Sequence, residues 1–411
     1  MSADRPAARG VPEIGLVLAG GGARGAYEAG ALSALLPHLE ARGERPGLIL
    51  GTSIGALNGS FLAATAHLSA QASVGKLIEL WRSVQFSDIV GPLLSPRELG
   101  RVLLYVGGLL GIPQSRVPAL LDTTPMRGVL QGLIDFDQLN TNIDRELISL
   151  AVVATSYATA ESVVFHHGPP GVSVPVDPVR AIRYVPARID VSHVQASASI
   201  PIAFPATRVD EPPEAAAWYG DGGTRLNTPL KPTLKLGASR IVVIGLNSTA
   251  LPGRPHDAQP DIFDGAGQFV QALLADPLAQ DVATLAGANR EVSLQSNSPP
   301  AAHALVPYIF VAPRDRLTVG QLAADIFRKH LSGVRAMVRA RDLATLGHIV
   351  GAGTDATRGE LFSFLFFATE FHQALIELGR ADAERWLAMT HDDGPWRLGN
   401  PPLPSPPPTI R

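Results

Sequence analysis

The chain contains no cysteine. That excludes a disulfide scaffold, a thiolate metal site and a cysteine nucleophile. Charge is sparse and balanced, with 34 basic and 37 acidic groups among 411 residues. A net charge of −3 supplies neither a broad basic surface for nucleic acid nor an acidic tail. No apolar run approaches the ~18–20 residues that span a bilayer. The densest, Val102 to Ile112, is interrupted by Gly107, Gly108 and Gly111. The N-terminus, MSADRPAARGVPEIG, has no apolar stretch behind its charges, so no secretory signal is expected. The expectation is a cytoplasmic protein, with peripheral membrane contact as a further option. What the chain does have is apolar material, 46% of its residues, which is incompatible with a disordered or fibrous chain.

The first seventy residues read as one β-α-β-α unit. Ile14 to Ala19 is a continuous apolar run, as in a strand buried on both faces, and it ends in Gly20-Gly21-Gly22-Ala23-Arg24-Gly25. A helical pattern follows to about Ala41, and Leu48-Ile49-Leu50 reads as a second strand. This order argues for a parallel sheet with crossover helices. From about 71 to 149 the pattern is helical. Ala151 to Thr155, Ser162 to His166 and Arg240 to Leu246 read as further strands, and Asp190 to Ser199 as a short helix stopped by Pro201. Residues 262–292 and 319–388 read as helical, and the proline-rich end as a tail.

Two glycine-bounded turns carry chemistry. A glycine loop at a helix N-terminus points backbone N–H groups at one spot, where the helix dipole adds positive charge. Such a loop can hold a phosphate or a developing oxyanion. Gly20-x-Gly22-x-x-Gly25 also matches the dinucleotide fingerprint. That fold wants an acid at the end of the second strand, whereas Glu40 and Glu44 lie before this one. Arg24 could anchor the loop, pair with a surface carboxylate or meet an anionic headgroup. The second strand runs into Gly51-Thr52-Ser53-Ile54-Gly55, a G-x-S-x-G between strand and helix. A sharp turn there lifts the serine oxygen into the open, and an N-capping serine in a tight turn is the alternative.

A serine needs a base. None of the eleven histidines sits in an obvious motif; His166-His167 abut a Gly-Pro loop, and His391 lies beside Asp392-Asp393 near the tail. Asp221, in Gly220-Asp221-Gly222-Gly223, is the better candidate if partial burial raises its pKa. An Asp-Gly turn without chemistry has the same appearance.

Together, Gly20 to Gly25, Gly51 to Gly55 and Asp221-Gly222-Gly223 resemble the three signature blocks of patatin-like phospholipases of bacterial type. Ala196 to Pro205 is similar to the segment that precedes the aspartate block in that family. The resemblance implies an α/β fold, a three-layer α/β/α sandwich with a central, mostly parallel sheet and a C-terminal helical extension. It implies a Ser53–Asp221 dyad without histidine and an oxyanion hole from Gly20, Gly21, Gly22 and Ala23. Gly51, Gly55, Arg24, Gly25, Gly222 and Gly223 support those motifs. The implied reaction is hydrolysis of a lipid or phospholipid acyl ester through an acyl-serine, with no cofactor, no metal and no nucleic-acid partner. An acyltransferase on the same dyad and a non-catalytic lipid-binding module are the alternatives. The expected organisation is a catalytic domain over 12–292, a mainly helical region of unassigned role over 293–398, and loose tails at 1–11 and 399–411. Oligomeric state is not legible in the sequence. Leu99 to Pro113, apolar and glycine-rich, is a candidate lid for an acyl groove, or a plain buried helix.

Overall fold

The apolar runs read above become strands of one mixed sheet. The computed structural model describes residues 13–93, 119–168, 174–248, 276–294, 305–315, 317–333, 340–389 and 394–399, with Gly100, Leu104, Asp261 and Gly265. The candidate lid at 99–113 therefore lies, apart from Gly100 and Leu104, outside the described residues, as does His391.

The strands are β1 (Ile14–Leu18), β2 (Leu48–Thr52), β3 (Ser149–Ser156), β4 (Ser162–His167), β5 (Ile182–Pro186), β6 (Thr207–Val209), β7 (Ala217–Asp221), β8 (Arg240–Ile244) and β9 (Tyr308–Val311). Their order is β5-β4-β3-β2-β1-β8-β9, with β7 paired to β3 and β6 to β7. From β3 through β9 every neighbouring pair on this path is parallel. The β3–β4 pair is antiparallel and β4–β5 parallel, while β7 is antiparallel to both β3 and β6. Strand β1 and the Ile241–Ile244 part of β8 are apolar and buried throughout, which suits the middle of such a sheet, where both faces are covered.

Period-two alternation divides the interior into two cores. On one face Ile49, Leu150 and Val152 join the large core; on the other Leu48, Leu50, Ala151 and Val153 pack with Leu226 and Leu236. Helices cover both faces, which gives the three layers. In chain order they are α1 (Gly25–Ala41), α2 (Ile54–Ala64), α3 (Ala70–Ser83), α4 (Phe86–Ile89), α5 (Thr124–Leu133), α6 (Phe136–Asp144) and α7 (Val191–Ser197). There follow α8 (Gly223–Leu226), α9 (Leu230–Lys235), α10 (Asp276–Leu294), α11 (Thr318–Ile326), α12 (Arg341–Val350), α13 (Ala356–Ser363) and α14 (Thr369–Ala388). Among the described residues no helix is long and apolar enough to cross a membrane.

The chain beyond 292 is mostly helical but also supplies β9 to the sheet. Its longest helix, α14, lies along α1. The two approach closely because a Cβ on Gly30 would come within 2.1 Å of the Ile376 carbonyl, and one on Gly379 within 2.1 Å of the Tyr27 carbonyl. Tyr27 then donates to Asp382 at 2.8 Å across the contact.

Candidate active site

Sheet register brings the serine and the aspartate together. On β3, Thr52 at the end of β2 pairs with Val153, and Asp221 at the end of β7 pairs with the next residue, Ala154. The other edge of β3 is occupied by β4. So β2 and β7 run toward each other along one edge of β3 and stop one register step apart. The chain leaves β2 at Ser53, whose φ of 53° and ψ of −120° form a sharp elbow into α2. A non-glycine residue in that region stores on the order of 1–3 kcal/mol of strain. The elbow closes only because Gly51 and Gly55 lack side chains. A Cβ on either would lie 2.3 Å from a backbone oxygen, that of Gly55 or of Leu18.

Ser53 is 4% and Asp221 6% exposed, so both are buried. The Ser53 hydroxyl donates to Asp221 Oδ2 at 2.5 Å, and the Gly223 N–H donates to Oδ1 at 2.7 Å. Burial pushes the Asp221 carboxyl up from 3.8 to about 6; those two hydrogen bonds hold it down but do not win. The Asp221 backbone is fixed by its N–H to Ser199 and by the hydroxyls of Thr155 and Thr224 on its carbonyl. Gly222 sits where a Cβ would meet the Val153 carbonyl at 2.3 Å. Below the elbow, the Ser53 N–H is held by Ser197 Oγ at 2.8 Å, and that hydroxyl donates to the Val153 carbonyl. Ser197 lies in the Ala196 to Pro205 stretch already noted, but its spacing gives no hint of this role.

The glycine loop is narrower in function than its sequence implies. The Gly20 N–H is taken by Asn227 Oδ1 at 2.9 Å, and the Ala23 N–H by the Phe364 carbonyl at 2.9 Å. Neither is free to receive an oxyanion, which corrects the expected set of four donors. Gly21 and Gly22 have no acceptor among the described residues. Gly22 adopts φ +59°, and a Cβ there would strike the Phe364 carbonyl at 2.1 Å. Gly25 opens α1 under Ile54 and Trp81, each 2.5 Å from where a Cβ would be.

Arg24 is an internal anchor, which rules out its meeting a headgroup or a surface carboxylate. It is 1% exposed and forms an ion pair with Glu360 at 2.8 Å. It also donates to Ser363 Oγ, Asn247 Oδ1 and the Glu360 carbonyl at 2.7–2.8 Å, and lies 3.7 Å over the Phe364 ring. Its planar fork suits this many-sided grip. Nothing in the sequence marked 360–364 as partners of the loop. Beneath it, Asn58 on α2 donates to Glu28 on α1 at 2.7 Å and accepts from Trp81 on α3 at 3.0 Å. Burial pushes the Glu28 carboxyl well above the usual carboxylate range.

Among the described residues two cavities meet at Ser53. The larger, about 350 Å³, is bounded by the glycine loop, Ser53 and Asp221 on one side and by apolar residues of 346–365 on the other. The smaller, about 30 Å³, runs toward Ile89, Met126 and Phe204. No described histidine lines either. Among the described residues no cluster of three or more His, Asp or Glu could hold a metal.

Residues 16–234 match the family described as patatin-like phospholipase. A stretch of 87 residues, 20% of this chain, is 40% identical to "Lysophospholipase NTE1" of Mycosarcoma maydis, of which it covers 4%. The chain thus spans a small fraction of that relative's length. Among solved structures, VipD from Legionella pneumophila is 16% identical, with 76% of this chain and 66% of that one aligned at a TM-score of 0.30. Human GIVD cytosolic phospholipase A2 is 12% identical, with 93% and 62% aligned at 0.35.

Proposed function

The chain belongs to the patatin-like phospholipase family, and from that premise we propose that it is a serine lipid acyl hydrolase working through Ser53 and Asp221. The observation that carries this reading is the 2.5 Å hydrogen bond from the Ser53 hydroxyl to Asp221 Oδ2, at the head of an apolar cavity. An aspartate held at about 6 is mostly ionised at neutral pH, yet is a stronger base than an exposed one. It takes the Ser53 proton as Oγ attacks the ester carbonyl. The oxyanion forms against the N–H groups of Gly21 and Gly22, beside the N-terminal ends of α1 and α2, whose dipoles favour negative charge. Asp221 returns the proton to the departing alcohol, and water repeats the sequence on the acyl-serine. The glycine loop does not suit a dinucleotide pyrophosphate: two of its N–H groups are engaged, and Phe364 closes on Gly22.

Turnover of p-nitrophenyl esters by the wild type, Ser53→Ala and Asp221→Asn tests the proposal, with fluorophosphonate labelling of Ser53 alongside. We expect wild-type turnover and labelling, and loss of at least 10²-fold in each variant. Full activity in Ser53→Ala would overturn the dyad.

A further inference from the structure

The geometry points to a specificity role for the C-terminal region: Leu346, Val350 and Leu361 wall the acyl-chain site and set the length of chain accepted. This rests on the reading of Ser53 as the acyl acceptor. All three residues lie outside 16–234, the part that matches the family.

Three observations carry the inference. First, among the described residues two apolar spaces open at Ser53 for the chain of a bound ester, and they differ tenfold in size. The smaller, about 30 Å³, has room for a methyl group. Of the two, the larger, of about 350 Å³, is the one with room for a chain of several carbons. Second, the polar groups of that larger space gather at Ser53, Asp221, Thr224 and Asn227, whereas Leu346, Val350, Leu361, Phe364 and Leu365 form its apolar C-terminal wall. Leu346 and Val350 are four residues apart on α12, so they present one face. Third, the 360–364 part of the wall is tied to the catalytic loop. Arg24 grips Glu360 and Ser363, the Ala23 N–H holds the Phe364 carbonyl, and α13 lies so close to α11 that a Cβ on Gly359 would meet the Gly320 carbonyl at 2.2 Å. A wall fixed to the loop cannot recede freely for a longer chain, and interiors respond to changes of a single methylene.

The volume gives the scale. A methylene occupies about as much room as a water molecule in the liquid, roughly 30 Å³, so 350 Å³ takes a chain of on the order of ten carbons. A Trp in place of Val350 or Leu346 fills the space of about two or three of them.

The test is kcat/KM for p-nitrophenyl esters from two to sixteen carbons in mixed micelles, read as the ratio of the twelve-carbon to the four-carbon ester. The variants are Val350→Trp, Leu346→Trp, Val350→Ala and Leu346→Ala. Ile349→Trp serves as the control, because Ile349 is 61% exposed on the same helix and does not line the cavity. We expect the ratio to fall at least tenfold in both cavity Trp variants, to rise severalfold in both Ala variants, and to stay at the wild-type value in the control. If a Trp variant fails to fold, the Ala variants decide, since they must move the ratio the other way. Ser53-dependent turnover with the same ratio in every variant overturns the length-setting role and leaves the dyad standing. Absence of any Ser53-dependent turnover overturns both.

Discussion

Replacing Asp221 with Asn should destroy turnover and at the same time stabilise the fold, but only above the pH at which Asp221 ionises. In the folded protein burial raises the Asp221 carboxyl from 3.8 to about 6. A group whose folded value is raised binds more protons in the folded than in the unfolded state. Stability therefore falls as pH rises from about 4 to about 6 and stays lowered above that window. At about 1.4 kcal/mol per pH unit, the gap between 3.8 and about 6 corresponds to about 3 kcal/mol. Asparagine keeps the shape and removes the charge. Its Oδ1 can accept from the Gly223 N–H, and its Nδ2 can donate to Ser53 Oγ, so neither hydrogen bond is orphaned. Asp221→Asn should match the wild type within about 1 kcal/mol at pH 4 and exceed it by about 2–3 kcal/mol at pH 8. Urea denaturation of both proteins at the two pH values measures this, because every other titrating group is common to both and cancels. A variant no more stable at pH 8 than the wild type, or a difference independent of pH, would refute the argument that the carboxylate is held ionised against its surroundings.

The same ionisation should appear in kinetics: kcat/KM for a soluble ester rises with pH through about 6 and then levels, because the base must be unprotonated in the free enzyme; a profile flat from pH 4 to 8 contradicts it. Arg24→Lys keeps one charge but loses the fork that reaches Glu360, Ser363 and Asn247. It should cost about 2–4 kcal/mol in urea denaturation and lower turnover together with it. Gly22→Ala places a methyl 2.1 Å from the Phe364 carbonyl at a positive φ; turnover should fall on the order of 10²-fold as the loop and its N–H groups are displaced, while a fully active variant would remove Gly22 from the oxyanion site. Glu28→Gln should leave stability at pH 4 nearly unchanged and raise it at pH 8. The buried Glu28 carboxyl is held well above its ordinary value, so ionisation of the unfolded chain above about 4.5 works against the wild type alone.

The parts of the site that were legible are those written in one short stretch of chain. A continuous apolar strand running into glycines, then into a helix, is visible at Ile14 to Gly25 and at Leu48 to Gly55 because strand, turn and helix have different local patterns. The meeting of Ser53 with Asp221 was accessible through the resemblance of three ordered blocks. No local pattern encodes it, since it arises where two strands abut on β3 across 168 residues of sequence. Strand β9 escaped detection because four residues, Tyr308 to Val311, are too few to establish a period and its place beside β8 is a long-range contact. The engagement of Gly20 and Ala23 was hidden for a similar reason. Their partners, Asn227 and Phe364, are 207 and 341 residues away, and a glycine loop looks the same whether its N–H groups are free or taken.

The long-range contacts also explain how an aspartate could act alone on the proposed mechanism. Exposed to water, a carboxylate at 3.8 is too weak a base to share a serine proton usefully. What raises it is the removal of water from around it. Part of the enclosure is the sheet itself, where β7 ends against β3, and part is the wall of 346–365 across the cavity. Its 360–364 part is held by Arg24, which belongs to the same loop that presents Gly21 and Gly22. Base strength, oxyanion donors and chain site would then depend on one set of contacts between the glycine loop and α13. An Arg24 variant that loosened them should lower the acid limb of the kcat/KM profile from about 6 toward 3.8 as water reaches Asp221. An effect on turnover with that limb unmoved would show that the loop and the base are independent.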